Sequence, residues 1–369
     1  MGITHAKFSR LVLPGALALA IFIPTVASSA EKTKDAASAK APVAAVLTGR
    51  TMGTTYRIKY WGDGTATPSE VHAEVEALLD RFDYQMSTYR DDSELSRFNR
   101  AAPNEWFAVS AETAHVVKKA LEYHELTGGA LDVTVAPLSR LWNFGPDAKR
   151  DSPRAAPTDE QMAEAMKLVG AQRLRVRQSP PALWKEAAGV EVDLSAIAPG
   201  YAVDLLIERL QSLGFDNAMV EIGGEVRGAG VRPDGQPWRI GVERAGAPGA
   251  EFIQIVGLED LAMTTAGDYR NVQGRRGARY THIIDPRLGR ALPYRGVSVT
   301  VLAETALEAD ALDTALVVMG ASRGHQWCVE HDVAALFQHG EGGATVKTTP
   351  RFDELVGADE ADEADSGRR

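Results

Sequence analysis

The sequence predicts an α+β fold of antiparallel sheets with interspersed helices, and three observations carry that prediction. Alternating or apolar runs at Thr54 to Tyr60, Arg239 to Glu243, Phe252 to Val256 and Val297 to Leu302 have strand composition. Around them lie amphipathic stretches with capping residues at their starts and glycines near their ends. The glycine run from Gly223 to Gly230 is not a dinucleotide fingerprint, because Arg232-Pro233-Asp234-Gly235 makes a turn where a helix would have to begin. A chain of 369 residues with 44% hydrophobic content can fill a large core.

The chain opens with Lys7 and Arg10, an apolar run from Leu11 to Ala27 broken by Pro14 and Pro24, and Ser28-Ser29-Ala30 before Glu31. This reads as a cleavable export signal over residues 1–30, too short and interrupted for a stable membrane anchor. In a Gram-negative bacterium it directs the mature protein to the periplasm. Residues 31–45 are poor in large apolar side chains and read as a flexible linker. An ordered domain is expected over 46–350 and an acidic, disordered tail over 351–369. The formal charge of −10 argues against a nucleic-acid partner. The single cysteine, Cys328, excludes an internal disulfide and any cysteine-rich metal cluster.

Within the domain, Thr54 to Tyr60 places Tyr56, Ile58 and Tyr60 on one face of a strand, just after Met52-Gly53. Ser69 caps a helix whose Val71, Val75, Leu78, Leu79 and Phe82 form a stripe, followed by a hydroxyl-rich loop at Met86-Ser87-Thr88-Tyr89. A second helix runs from about Ala111 to Leu126 and stops at Gly128-Gly129. Ala130 to Val135 then re-enters extended structure, with Asp132 either buried or facing a ligand. Thr158 and Gln161 form the capping box of a third helix. Val192 begins a short strand that turns at Pro199-Gly200 into a helix carrying Val203, Ile207 and Leu210 inward. Asp193 ends the strand, and the turn is either a plain connection or one that presents backbone N–H groups to phosphate. Thr264 to Tyr269 reads as a small-residue loop, and Arg275 to Arg279 as a solvated hairpin tip or a phosphate contact. His282, near the Asp285-Pro286 turn, is either a general base or a satisfied polar residue.

The stretch from Thr305 to Gly320 is a helix by its Thr305/Glu308 capping-box spacing, its terminal glycine and the recurrence of Ala309, Leu312, Ala315, Leu316 and Met319. Asp310, Asp313 and Thr314 fall along one side of it. They are either a solvated helix edge or a set of hard oxygens suited to Mg²⁺ or Ca²⁺.

Eight segments occur in one order over about residues 46 to 340: MGTTY, MSTYRDDSELSRFN, GALDVTVAPLSRLWNFG, VDLSAIAPGYAVD, VEIGGEVRGAG, TTAGDYR, THIIDPRLG and EADALDTALVVMG. The series resembles that of ApbE-type FAD:protein FMN transferases. The resemblance implies a T-fold-related architecture and a Mg²⁺-dependent enzyme that splits FAD at its pyrophosphate. FMN would then be linked by a phosphoester to a threonine or serine of a periplasmic or membrane-exposed acceptor protein, with release of AMP. Carried over residue by residue, the flavin contacts fall on Met52, Tyr89, Ala130, Leu131, Asp132, Asp193, Pro199 and Ile284. The resemblance places Mg²⁺ on Asp310, Thr314 and a backbone oxygen near Ala196, with Asp313 beside them, and makes His282 the candidate base. At Pro199 the chain departs from the family pattern, which has lysine there. The alternative reading is therefore an exported module that binds FAD without transferring it, unless Arg275, Arg276 or Arg279 supplies the missing cation.

Overall fold

Eight strands pair into one antiparallel sheet whose spatial order follows the chain. They are β1 (Val43–Thr51), β2 (Thr54–Gly62), β3 (Asn217–Ile222), β4 (Glu225–Ala229), β5 (Leu261–Gly267), β6 (Ser298–Ala303), β7 (Ala334–His339) and β8 (Thr345–Thr348). The computed structural model describes residues 43–145, 148, 156–246, 249, 251–268, 273–275 and 278–357. The export signal, most of the linker, Tyr269, Arg276 and the chain from 358 onward lie outside the described residues, as does the side chain of Arg275.

The period of two divides the side chains between two cores. Tyr56, Ile58 and Tyr60 of β2, Val220 and Ile222 of β3, Val299 and Val301 of β6 and Phe337 of β7 join the larger core. It is closed by α1 (Pro68–Met86), α2 (Ala111–Leu126), α3 (Ala198–Ser212) and α4 (Ala306–Met319). The intervening residues Met219, Val226, Met263, Leu302 and Leu336 enter a second core with Trp238, Val256 and Leu258 of the hairpin Trp238–Glu243 and Phe252–Leu258. Phe352 and Val356 complete that core from a helix over 350–357, so the expected disordered tail begins no earlier than its end. Phe352 and Val356, at i, i+4 spacing, dock that short helix, with Leu355 packed beside them and Thr349 accepting from Phe352 N at its start.

Four further expectations change. The first helix is capped by Thr67, whose side chain and Glu70 form a full capping box, and Ser69 lies inside it behind Pro68. Residues 130–135 are turns: the Asp132 carboxylate accepts from Thr134 N and Oγ1, an Asx turn that outcompetes the β propensity of Val133 and Val135. Residues 191–194 likewise form no strand, and Asn99 clamps Val192 through both its backbone groups. Thr264 to Gly267 is not a loop but the latter half of β5, paired with β6, while Leu261 to Met263 pair with β4. Among the described residues no helix is long and apolar enough to cross a membrane.

Candidate active site

α4 begins where the sequence places it, with Thr305 accepting from Glu308 N, and ends at Gly320 with φ 80°. Its surroundings overturn the solvated-edge alternative. Every residue of the helix is buried except Glu308, Thr314 and Met319, because the sheet lies on one side and α3 crosses another. Asp310 and Asp313 are therefore both interior, at 4% and 2% exposure.

Their carboxyls are held well above the usual carboxylate range, first by burial, then by the Glu225 carboxylate near both. Asp310 Oδ2 accepts from Gly200 N at 2.9 Å, which partly offsets the effect. Thr264 faces Asp313 and tempers its shift, yet neither Thr264 Oγ1 nor Asp313 Oδ1 completes a hydrogen bond of ordinary geometry. A buried carboxylate oxygen without a donor is costly, several kcal/mol by general experience, and calls for a cation or a proton.

These groups open into one cavity of about 580 Å³. Its walls include the turn Ala130 to Val133, the segment Asn143 to Gly145, the loop Asp193 to Ala196, Glu225 at the start of β4, Thr265 to Gly267 at the end of β5, the strand Ala278–Asp285, and α4. Asp132, Asp193, Glu225, Asp310 and Asp313 all line it, and no lysine or arginine does among the described residues. A negative pocket of this kind repels a phosphate ester unless a cation intervenes.

The two upper acids are already occupied. Asp132 accepts from Thr134 and, through Oδ2, from Ala171 N at 3.2 Å, with His124 Nδ1 at 3.3 Å. Asp193 repeats the device by accepting from Ser195 N and Oγ, and its own N–H donates to Val133 O, so two Asx turns sit side by side on the wall. Asp310 and Asp313 remain, with the Thr314 hydroxyl and the backbone at Ala196. Among the described residues no three His, Cys, Asp or Glu side chains form a metal cluster. The available donors are two carboxylates, a hydroxyl and a carbonyl, all hard oxygens of the kind Mg²⁺ takes.

His282 reaches the cavity from the middle of its strand, where the pairing with Arg290–Pro293 shifts register between Tyr280 and Ile284. Such irregularities re-aim a side chain. Ala130, Leu131 and Ile284 supply apolar wall, and Tyr89, 72% exposed, stands at the mouth. Two expected contacts are not on the cavity wall. Met52 sits in the β1–β2 turn with φ 47°, and Pro199 lies in the first turn of α3, half-buried, where its missing N–H costs nothing. Arg279, an expected substitute cation, stacks on the Tyr294 ring at 3.9 Å.

Sequence reasoning missed Glu225 and Phe144. Glu225 was legible as the acid that follows Gly223-Gly224 and opens an apolar strand. Phe144 is delivered to the cavity by Asn143, which adopts φ 62° and is buried, while Trp142 Nε1 donates to Gly289 O at 3.0 Å.

The profile of the ApbE family matches residues 52–337. The chain is 47% identical over 279 residues to a protein of Vibrio cholerae named FAD:protein FMN transferase, covering 75% of this chain and 82% of that one. A Haemophilus influenzae protein of the same name is 39% identical over 317 residues, 84% of this chain and 91% of its own. The apo crystal structure of Pseudomonas stutzeri flavinyl transferase ApbE superimposes with a TM-score of 0.77 at 38% identity, over 86% of this chain and 98% of that one.

Proposed function

This chain belongs to the ApbE family and is a flavin transferase, and from that premise we propose that it is a periplasmic, Mg²⁺-dependent FAD:protein FMN transferase acting on a threonine or serine of an acceptor protein. The observation that carries the finer reading is the cavity itself. Asp310, Asp313, Thr314, Ala196 and His282 share it, and its lining holds an acid oxygen with no hydrogen-bond partner and, among the described residues, no lysine or arginine.

Asp310, Asp313, Thr314 and the Ala196 carbonyl are the residues that would hold Mg²⁺, whose charge would neutralise that developing on the pyrophosphate during transfer. Ala130, Leu131, Phe144 and Ile284 offer apolar surface to the flavin, and the Asx turns at Asp132 and Asp193 hold the wall rigid. The acceptor hydroxyl oxygen attacks the phosphorus on the FMN side. The P–O bond to AMP breaks, and the hydroxyl proton passes to His282, an imidazole being able to take it near neutral pH. The products are the FMN phosphoester and AMP.

The binding-only alternative rested on Pro199, which is off the cavity wall, and no other observation favours it. The test is incubation with FAD, Mg²⁺ and a candidate acceptor domain. Fluorescence of the acceptor band, a mass increase of one FMN and stoichiometric AMP are expected. FAD binding without any labelling or AMP would overturn the proposal.

A further inference from the structure

We propose that Asp204 is a positioning residue that holds the acids of the cavity in register for a cation, an inference that rests on the Mg²⁺ reading above. Asp204 is buried on α3, one turn beyond Gly200. Its Oδ1 accepts from Ala306 N at 2.9 Å and Arg227 Nη1 at 2.7 Å, and its Oδ2 accepts from Leu307 N at 2.9 Å. Those two N–H groups open α4 and are not served by Thr305, whose hydroxyl takes Glu308 N.

α4 returns the arrangement. α3 has no side-chain cap of its own, and Asp310 of α4 accepts from Gly200 N in its first turn. Each helix thus caps the other with a buried carboxylate, and contact fixes their spacing: a Cβ on Gly200 would lie 2.2 Å from Ala306 O. Arg227 adds a third anchor. It lies on β4 two residues beyond Glu225, on the same side of the strand. One carboxylate therefore ties together the starts of α3 and α4 and the strand that carries Glu225. Asp310 and Asp313 follow from α4 as a rigid body.

Asp204→Asn keeps the volume but presents an amide nitrogen that cannot accept from all three donors. The readouts are the Mg²⁺ concentration that half-saturates thermal stabilisation of the FAD-free protein and the one that half-saturates transfer. Both are expected to rise about tenfold or more, as for other groups that orient metal ligands, while transfer at saturating Mg²⁺ recovers most of its wild-type rate. Arg227→Met, which leaves both backbone bonds, is expected to move both values in the same direction by less. Phe352→Leu, in the core on the far side of the sheet, controls for lost stability alone.

An unchanged half-saturating Mg²⁺ in Asp204→Asn, or an equal shift in Phe352→Leu, sinks the positioning role and leaves the Mg²⁺ reading intact. If Asp204→Asn does not fold, Arg227→Met decides, and no shift there overturns the proposal. A wild-type protein that neither is stabilised by Mg²⁺ nor needs it for transfer overturns the cation reading and this inference together.

Discussion

Both faces of the central sheet bury side chains, and they are chemically opposite. On the far face Met219, Val226, Trp238, Leu258, Met263, Leu336 and Phe352 close an apolar core. On the near face the same strands back a helix that buries Asp310 and Asp313, with Asp204 beneath it and one carboxylate oxygen unpaired. Apolar burial is repaid by about 25 cal/mol per Å², whereas a buried acid without a partner costs several kcal/mol. The near face is thus kept less stable than its packing allows. The difference teaches where to look for function: at polarity that the fold tolerates at a loss.

The largest expected effect follows directly. Replacing both Asp310 and Asp313 by asparagine keeps shape and removes the charge. Transfer is expected to fall on the order of a thousandfold or more, the scale seen when charge neutralisation at a phosphoryl centre is lost. The melting temperature in EDTA should hold or rise, since two buried acids have gone. Calorimetry with and without Mg²⁺, beside the labelling assay, reads both. Strong destabilisation in EDTA would mean the acids are structural and would erase the contrast between the faces.

His282→Ala comes next. A base acts on the transition state, so turnover is expected to drop about a hundredfold with FAD affinity changed by less than threefold or so. Comparable losses in both, measured by titration and single-turnover labelling, would make His282 a binding residue.

The contrast was only half legible in the sequence. Caps and period delimited α4 because capping chemistry is local: Thr305, Glu308 and Gly320 are neighbours in the chain. Its burial on all sides was not legible, since that depends on α3, β5 and β6, which arrive from elsewhere. Small residues misled in the same way. Thr264, Thr265 and Ala266 look like a loop, yet they form a strand against which α4 packs. Val133 and Val135 look like a strand, yet Asp132 and Thr134 turn the backbone between them. Side-chain hydrogen bonds two residues long can be read, as D-x-T and D-x-S, but only once turn chemistry is weighed above propensity.

A smaller effect tests the far face. Phe352→Leu is expected to cost about 1–1.5 kcal/mol of stability by leaving a partly filled gap, with turnover per folded molecule unchanged. Denaturant titration and active-site titration with FAD separate the two. A fall in turnover at full folding would show that the faces are coupled through the sheet.

The smallest effect is at Pro199, where the family pattern has lysine. The residue lies in the first turn of α3, half-buried and off the cavity wall, one position before the Gly200 N–H that Asp310 holds. Proline suits that turn, and exchanging it for lysine returns conformational freedom to the unfolded chain, worth about 0.4–1 kcal/mol of stability. A lysine stem is long enough to bring its ammonium toward the neighbouring Ala196, where five carboxylates set a negative field. Half-exposed charge of this kind contributes about 0.2–1 kcal/mol. Pro199→Lys is therefore expected to tighten FAD binding by less than about fivefold at low salt, to lose that gain as salt screens it, and to leave turnover near wild type. Titration calorimetry across ionic strength reads it. A gain above tenfold, or transfer that appears only once lysine is present, would mean that the acids of α4 with the cation proposed for them do not suffice for the phosphates, and the near face would then depend on a charge that Pro199 does not supply.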